Sequence, residues 1–203
     1  MTKLSQRRLT RNERKAQILS QARHVFAAKG YACTRVADIV AATDVSQGLL
    51  YTHFDSKETL YTDLMGMCFE RINAALAYLE SMPLSARDKI VLALTRIVTA
   101  FGSDVASRES VRLMAQSSFS EGIPETARRL LVSEQKKACA VLTRILEQGR
   151  EEGASCVLPS QELAELLWAT MKALTLEQAI SGADFRTPNV QTIVSLFFQT
   201  AQR

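Results

Sequence analysis

Two hydroxyl–base pairs, Thr34-Arg35 and Ser56-Lys57, stand at what read as helix starts. A hydroxyl there caps free backbone N–H groups, which is ordinary. A base in the first helical turn is less so, because it opposes the positive end of the helix dipole. An external anion would compensate it, since a helix N-terminus already gathers donors around negative charge. DNA phosphate is such an anion; solvated bases at helix ends are the plainer alternative. Between the pairs, Ser46 caps a short helix, Gln47 to Phe54. Leu50 and Phe54 lie four apart and fold inward, leaving Gln47, Tyr51, Thr52 and His53 on the outside. That is the form of a major-groove reader. Gln47 can pair with an adenine edge, and Thr52 can meet a thymine methyl or accept one hydrogen bond. Gln47 ranks first as base reader and Thr52 second. Leu49 stays open between core filler and apolar base contact.

Other chemistries find little to work with. There is no Gly-rich phosphate loop and no nucleophile–base signature. Cys33, Cys68, Cys139 and Cys156 are scattered, and the only histidines are His24 and His53. The reading is a non-enzyme with no cofactor and no metal.

The 203 residues are 47% hydrophobic and 23% charged, with four Pro and eight Gly, which suits a globular, all-α chain. No apolar run is long enough to span a bilayer, and the basic N-terminus lacks a signal-peptide core, so no membrane association and a cytoplasmic location are expected. Residues 1–57 hold ten Lys/Arg against four Asp/Glu, whereas the remainder holds 15 against 17. A basic module on a near-neutral body fits a polyanion at one end. Lys3, Arg7, Arg8 and Arg11 lie on a loose arm that either touches DNA or merely solubilises the chain.

About nine helices are expected. Asn12 caps the first, with Ile18, Leu19, Ala22, Val25 and Phe26 on its inner face, and Gly30 ends it. Thr34 caps the second, and Asp44 takes the bend before Ser46. Ser56 opens a long helix closed by Pro83, with the domain boundary along it: 1–60 for the DNA-binding part, 61–203 for the regulatory and dimerisation part. Further helices span roughly 86–102, 107–119, 125–152 and 160–181, with a last one from Pro188 to the C-terminus. Two of these are apolar on more than one face. Leu163, Leu167 and Leu174 on one, with Val190, Ile193, Val194, Phe197 and Phe198 on the other, suggest a neighbouring subunit and a four-helix interface.

The ordered positions Thr34-x-Val36-x-x-Ile39-Val40, Val45-Ser46-x-Gly48-x-Leu50-Tyr51-x-His53-Phe54 and Ser56-Lys57-Glu58-x-Leu60 resemble the N-terminal signature of the tetracycline-repressor (TetR) family. The resemblance covers roughly residues 12–64. It implies a three-helix helix-turn-helix DNA-binding domain joined to a larger C-terminal helical domain that dimerises and usually binds an inducer. Thr34, Tyr51, His53 and Lys57 match phosphate-contacting positions, and Arg35 joins them on electrostatics. His53 would act as a neutral hydrogen-bond donor. Gly48 matches a place where the helix passes close to the DNA backbone or to a neighbouring helix. Asp44 departs from the glycine frequent at that turn. The expected function is a homodimeric repressor that binds double-stranded DNA at a palindromic operator and is released by a small, largely apolar effector. Phe101, Met114, Phe119, Trp168 and Met171 are the candidate pocket. The alternative is a DNA-bound scaffold with no inducer.

Overall fold

In the computed structural model of the chain, residues 10–43, 45–100, 105–120, 122–154, 158–186 and 188–198 are described. They form nine α-helices and no strand: α1 Arg11–Cys33, α2 Val36–Ala42, α3 Gln47–His53, α4 Lys57–Ser81, α5 Ala86–Ala100, α6 Val105–Phe119, α7 Glu125–Glu151, α8 Ser160–Ser181 and α9 Val190–Ser195, with a 3₁₀ turn at Gly182–Asp184. None of the described helices is long and apolar enough to cross a membrane. No group of three or more His, Cys, Asp or Glu among those residues could hold a metal ion. The basic residues Lys3, Arg7 and Arg8, the bend residue Asp44 and Cys156 lie outside the described residues.

The inner face expected for α1 is the one buried: Ile18, Ala22 and Phe26 are wholly inaccessible. Its N-cap is Thr10, not Asn12. The Thr10 hydroxyl accepts from Glu13 N, and Glu13 Oε2 accepts from Thr10 N, a reciprocal box that satisfies two otherwise orphaned donors. Gly30 breaks the helix at φ 73°, a backbone region that side-chain-bearing residues avoid, and one further turn carries the chain to Cys33.

α4 ties the N-terminal three helices to the rest. Tyr61, Leu64 and Met65 are fully buried, and the Tyr61 ring meets Phe26 edge-on at 5.0 Å. Ser117 Oγ donates to Leu113 O at 2.6 Å, so the Tyr61 hydroxyl, 2.6 Å away, donates to Ser117. Burial pushes the Tyr61 phenol above its ordinary range. One hydrophobic core runs without a gap from Ile18 in α1 to Phe198 beyond α9.

The last helix differs most from expectation. α9 has six residues, not a run to the C-terminus, and its apolar side is spent inside the chain. Val194, Phe197 and Phe198 are buried, while Val190 and Ile193 pack on the same core. Phe198 reaches α7 because residue 149 is glycine: a Cβ there would stand 2.6 Å from the Phe198 ring. Leu163 and Leu167 are buried too, with Leu174 packed against the core. Of the residues expected at a dimer interface, Leu163, Leu167, Val194, Phe197 and Phe198 are thus buried within the single chain, while Leu174, Val190 and Ile193 are half-buried. Hydrophobic amplitude on two faces marked a helix sandwiched within its own domain, a case that periodicity cannot separate from an intersubunit one.

Candidate nucleic-acid interface

α2 and α3 form the helix-turn-helix, and their caps decide what each side chain can do. Ser46 Oγ accepts from Leu49 N at 3.2 Å, and Ser56 Oγ accepts from Thr59 N at 3.0 Å, as their positions suggest. α2 starts differently: its N-cap is Arg35, whose backbone N–H is taken by Asp38 Oδ2 at 2.8 Å. Lys29 donates to the other oxygen of Asp38 at 2.7 Å, and these bonds hold its carboxyl below the usual carboxylate range. Thr34 closes α1 instead of opening α2. Its side chain is 1% exposed overall, and its hydroxyl donates to Gly30 O at 2.6 Å. The hydroxyl is therefore turned into the protein, away from any external phosphate.

Lys57 is also committed internally. Its Nζ donates to Tyr31 O at 3.0 Å and Thr34 O at 2.9 Å, and sits 4.2 Å from the Tyr31 ring centre. The ammonium lies at the C-terminal, negative end of α1, so it complements one dipole while opposing its own helix's. Arg35, by contrast, projects into solvent.

On α3, Gln47, Gly48, Tyr51 and Thr52 are all exposed and share one outward face, with Ser46 at its head. Leu50 and Phe54 are buried beneath it. Leu49 is 38% exposed, which leaves it out of the core. Thr52 Oγ1 donates to Leu49 O at 2.7 Å, so the hydroxyl keeps only its lone pairs for outside partners. His53 is half-buried, and its Nδ1 is enclosed without a hydrogen-bond partner. A Cβ at Gly48 would meet nothing within 4 Å, so no neighbouring helix requires glycine there.

Arg11 adds a link that its place on the expected loose arm does not suggest. Its Nη2 donates to Thr52 O at 3.2 Å, reaching a carbonyl in the last turn of α3 from the first residue of α1. A cation at a helix C-terminus is favourable, and this one links the reading helix to α1. Spacing carries no signal for a contact 41 positions apart.

Of the five residues expected to line an effector pocket, three have described side chains. Trp168 and Met171 are buried in the core, and Met114 packs against it. Phe101 and the side chain of Phe119 lie outside the described residues. A concavity of about 620 Å³ opens elsewhere, between α1, α6 and the end of α8, and none of Met114, Trp168 and Met171 lines it.

Residues 18–64 match the family described as bacterial regulatory proteins, tetR family. That segment, which spans α2, α3 and parts of the helices on either side of them, is similar to the TetR-family DNA-binding segment. Over 59 residues it is 36% identical to IcaR of Staphylococcus aureus, a negative transcriptional regulator of the biofilm operon icaADBC. That match spans 29% of this chain and 32% of IcaR, so the chain covers about a third of its relative's length. Similarity in fold extends through the rest. The reduced form of E. coli NemR superposes with a TM-score of 0.76 at 18% identity, over 92% of this chain and 98% of NemR. AibR, solved with isovaleryl coenzyme A and operator DNA, gives 0.70 at 17%, over 93% and 100%. IcaR and the tetR family are transcriptional regulators, not enzymes.

Proposed function

We propose that the chain is a homodimeric transcriptional repressor that reads a palindromic operator through α3 and is released by a small-molecule effector. The observation that carries the reading is the exposed face of Gln47, Gly48, Tyr51 and Thr52 on a buried Leu50–Phe54 base. Gln47 and Thr52 supply the base-edge chemistry. Tyr51, His53, Arg35 and the backbone at Gly48 supply phosphate contacts that orient the helix. With Nδ1 enclosed and unpartnered, the favourable neutral His53 tautomer carries its hydrogen on Nε2, the nitrogen left for a phosphate oxygen. Thr34 and Lys57 hold the frame in place behind these groups.

For the dimer, α8 offers Leu166, Ala169, Ala173, Leu176 and Ile180 at alternating spacings of three and four. That is the seam spacing of a helix pair. Leu166 is 51% and Ile180 72% exposed, large apolar side chains that a monomer leaves in water. The two alanines let a second copy approach closely, and α7, packed along α8, completes four helices. The effector is supported by the fold shared with AibR, which was solved with an acyl-coenzyme A and operator DNA.

Selection of bound sequences from a random DNA pool tests the reading. An inverted repeat should emerge, with half-sites about one helical turn or slightly more apart. Gln47→Ala should relax one position per half-site by roughly 1–3 kcal/mol. No enriched motif, or the parent motif returned unchanged by the variant, would count against α3 as the reader.

A further inference from the structure

The concavity beside α1 joins the DNA-binding module to the regulatory body, and its walls are chemically uneven. α1 contributes His24 and, a turn further on, the small side chains of Ala27 and Ala28. α6 contributes Val105, Arg108, Glu109 and Arg112, all on one face, and the end of α8 closes the back with Gln178 and Ala179. Glu109, the acid among these lining residues, is already engaged at both oxygens. Arg23 Nε lies 3.2 Å from Oε2, and His24 Nδ1 lies 2.7 Å from Oε1. Its charge is matched from below by the largely buried Arg23 guanidinium. The exposed guanidinium of Arg112 then leaves the cleft positive. Gln178 fixes its amide by donating from Nε2 to Val98 O at 2.9 Å, which leaves Oε1 buried with no partner. A buried acceptor left unpaired is costly unless something supplies a donor.

We propose that this cleft between α1, α6 and α8 is the effector site, and that its ligand is an amphipathic organic anion carrying a hydroxyl or N–H group. The carboxylate or phosphate pairs with Arg112, beside Arg108, through charge-assisted hydrogen bonds. The donor group satisfies Gln178 Oε1, and an aliphatic portion lies along Ala27, Ala28, Val105 and Ala179. A volume of about 620 Å³ suits a small organic molecule. One wall of the site is α1 itself, which holds α3 through Arg11 and is held to α6 by Arg23 and His24 on Glu109, and by Gln116 Nε2 on Ala27 O at 3.2 Å. An anion in the cleft competes with Glu109 for His24 and loosens that joint, which lowers DNA affinity. The inference deepens the effector-responsive reading given above and rests on it.

The test uses the full chain with β-hydroxyhexanoate and hexyl phosphate as probes and hexanol as the uncharged match. Binding is read by titration calorimetry, and DNA affinity by anisotropy of a labelled random-sequence duplex at low salt. At least one anion should bind saturably, hexanol should not, and the probe that binds should weaken DNA binding. The two anions separate a carboxylate ligand from a phosphate one. Arg112→Ala should reduce probe affinity by about tenfold or more, and Gln178→Leu should reduce β-hydroxyhexanoate binding alone. Lys136→Ala, on the exposed side of α7, should change neither. No saturable binding by either anion, equal binding by Arg112→Ala, or unchanged DNA affinity at full occupancy would overturn the assignment. A chain that binds the probe but never binds DNA would sink the reader reading instead, and calorimetry would still report on the cleft.

Discussion

Lys57 Nζ lies 2.9 Å from the carbonyl oxygen of Thr34, and the same ammonium bonds Tyr31 O, so the base at the start of α4 closes the end of α1. The pattern recurs one helix later. Lys89, in the first turn of α5, donates to Glu80 O at 2.8 Å near the end of α4. In both places a lysine that is wrongly signed for its own helix is rightly signed for the earlier helix whose end it meets.

The two bases that looked equivalent in sequence should therefore separate by experiment. Lys57→Ala should cost about 1–3 kcal/mol of stability, because two carbonyls lose a charged donor. Its DNA affinity should fall through a misplaced α2–α3 pair, with the salt dependence nearly unchanged. Arg35→Ala should leave stability within about 0.5 kcal/mol and reduce the slope of log affinity on log salt by roughly 0.9 for each phosphate no longer neutralised. Denaturant melts and salt titrations of both variants decide it. A larger drop in slope for Lys57 than for Arg35 would reverse the assignment.

Gly149 has a different constraint from any turn glycine, since it lies inside α7 with helical geometry. Gly149→Ala gains about 1 kcal/mol of helix propensity but drives a methyl to 2.6 Å from the Phe198 ring and 3.2 Å from Ala86 Cβ. Overpacking of a filled core costs about 1–3 kcal/mol, so the variant should be less stable by up to about 2 kcal/mol net. The added substitution Phe198→Leu should recover part of the loss. A variant more stable than the parent would mean that Phe198 moves away freely.

What was legible in the sequence follows from which forces act locally. The helix-turn-helix elements, the Ser46 and Ser56 caps and the burial of Leu50 and Phe54 depend on neighbours within a turn or two, and periodicity reports those. Thr34 was misplaced by one helix because a threonine between two helices can serve either. Only the bond to Gly30 O, set by the kink at Gly30, decides it. Lys57, Arg11 and Gly149 each act on a partner far along the chain, and no spacing rule reaches them. Of the apolar residues expected at a dimer face, the core takes Leu163, Leu167, Val194, Phe197 and Phe198 and leaves Leu174, Val190 and Ile193 half-buried. The residues left over, Leu166 and Ile180 with Ala169 and Ala173, are individually unremarkable and meaningful only as an exposed seam.

Acid should weaken the α4–α7 contact. Arg144 donates to both oxygens of Glu80, and this pairing holds the Glu80 carboxyl below the ordinary carboxylate range. The folded chain thus binds that proton less readily than the unfolded one. The pair adds stability above about pH 4.3, the unfolded value, and loses it as pH falls through the lowered folded value. Both side chains are partly exposed, so the contribution is under about 1 kcal/mol. Glu80→Gln should lower Tm by roughly 1–3 °C near neutral pH, with the gap from the parent closing in acid. A gap that stays constant down to about pH 2 would remove this pair from the acid response.

Gly48 gives the sharpest separation of folding from DNA binding. Nothing within 4 Å would meet a Cβ there, and the residue sits on the exposed face of α3 between Gln47 and Leu49. Folding alone therefore favours alanine, by up to about 1 kcal/mol, because glycine gives up more backbone freedom in a helix. If α3 lies against DNA as proposed, the missing side chain allows its backbone to approach the sugar-phosphate chain, and a methyl would hold it off. Gly48→Ala should melt at or above the parent's Tm while binding duplex DNA about tenfold more weakly, the effect of roughly 1.4 kcal/mol. Stability gained and affinity lost in one variant would show that glycine serves the DNA contact. Parent-level DNA affinity in Gly48→Ala would instead place that face of α3 away from the duplex.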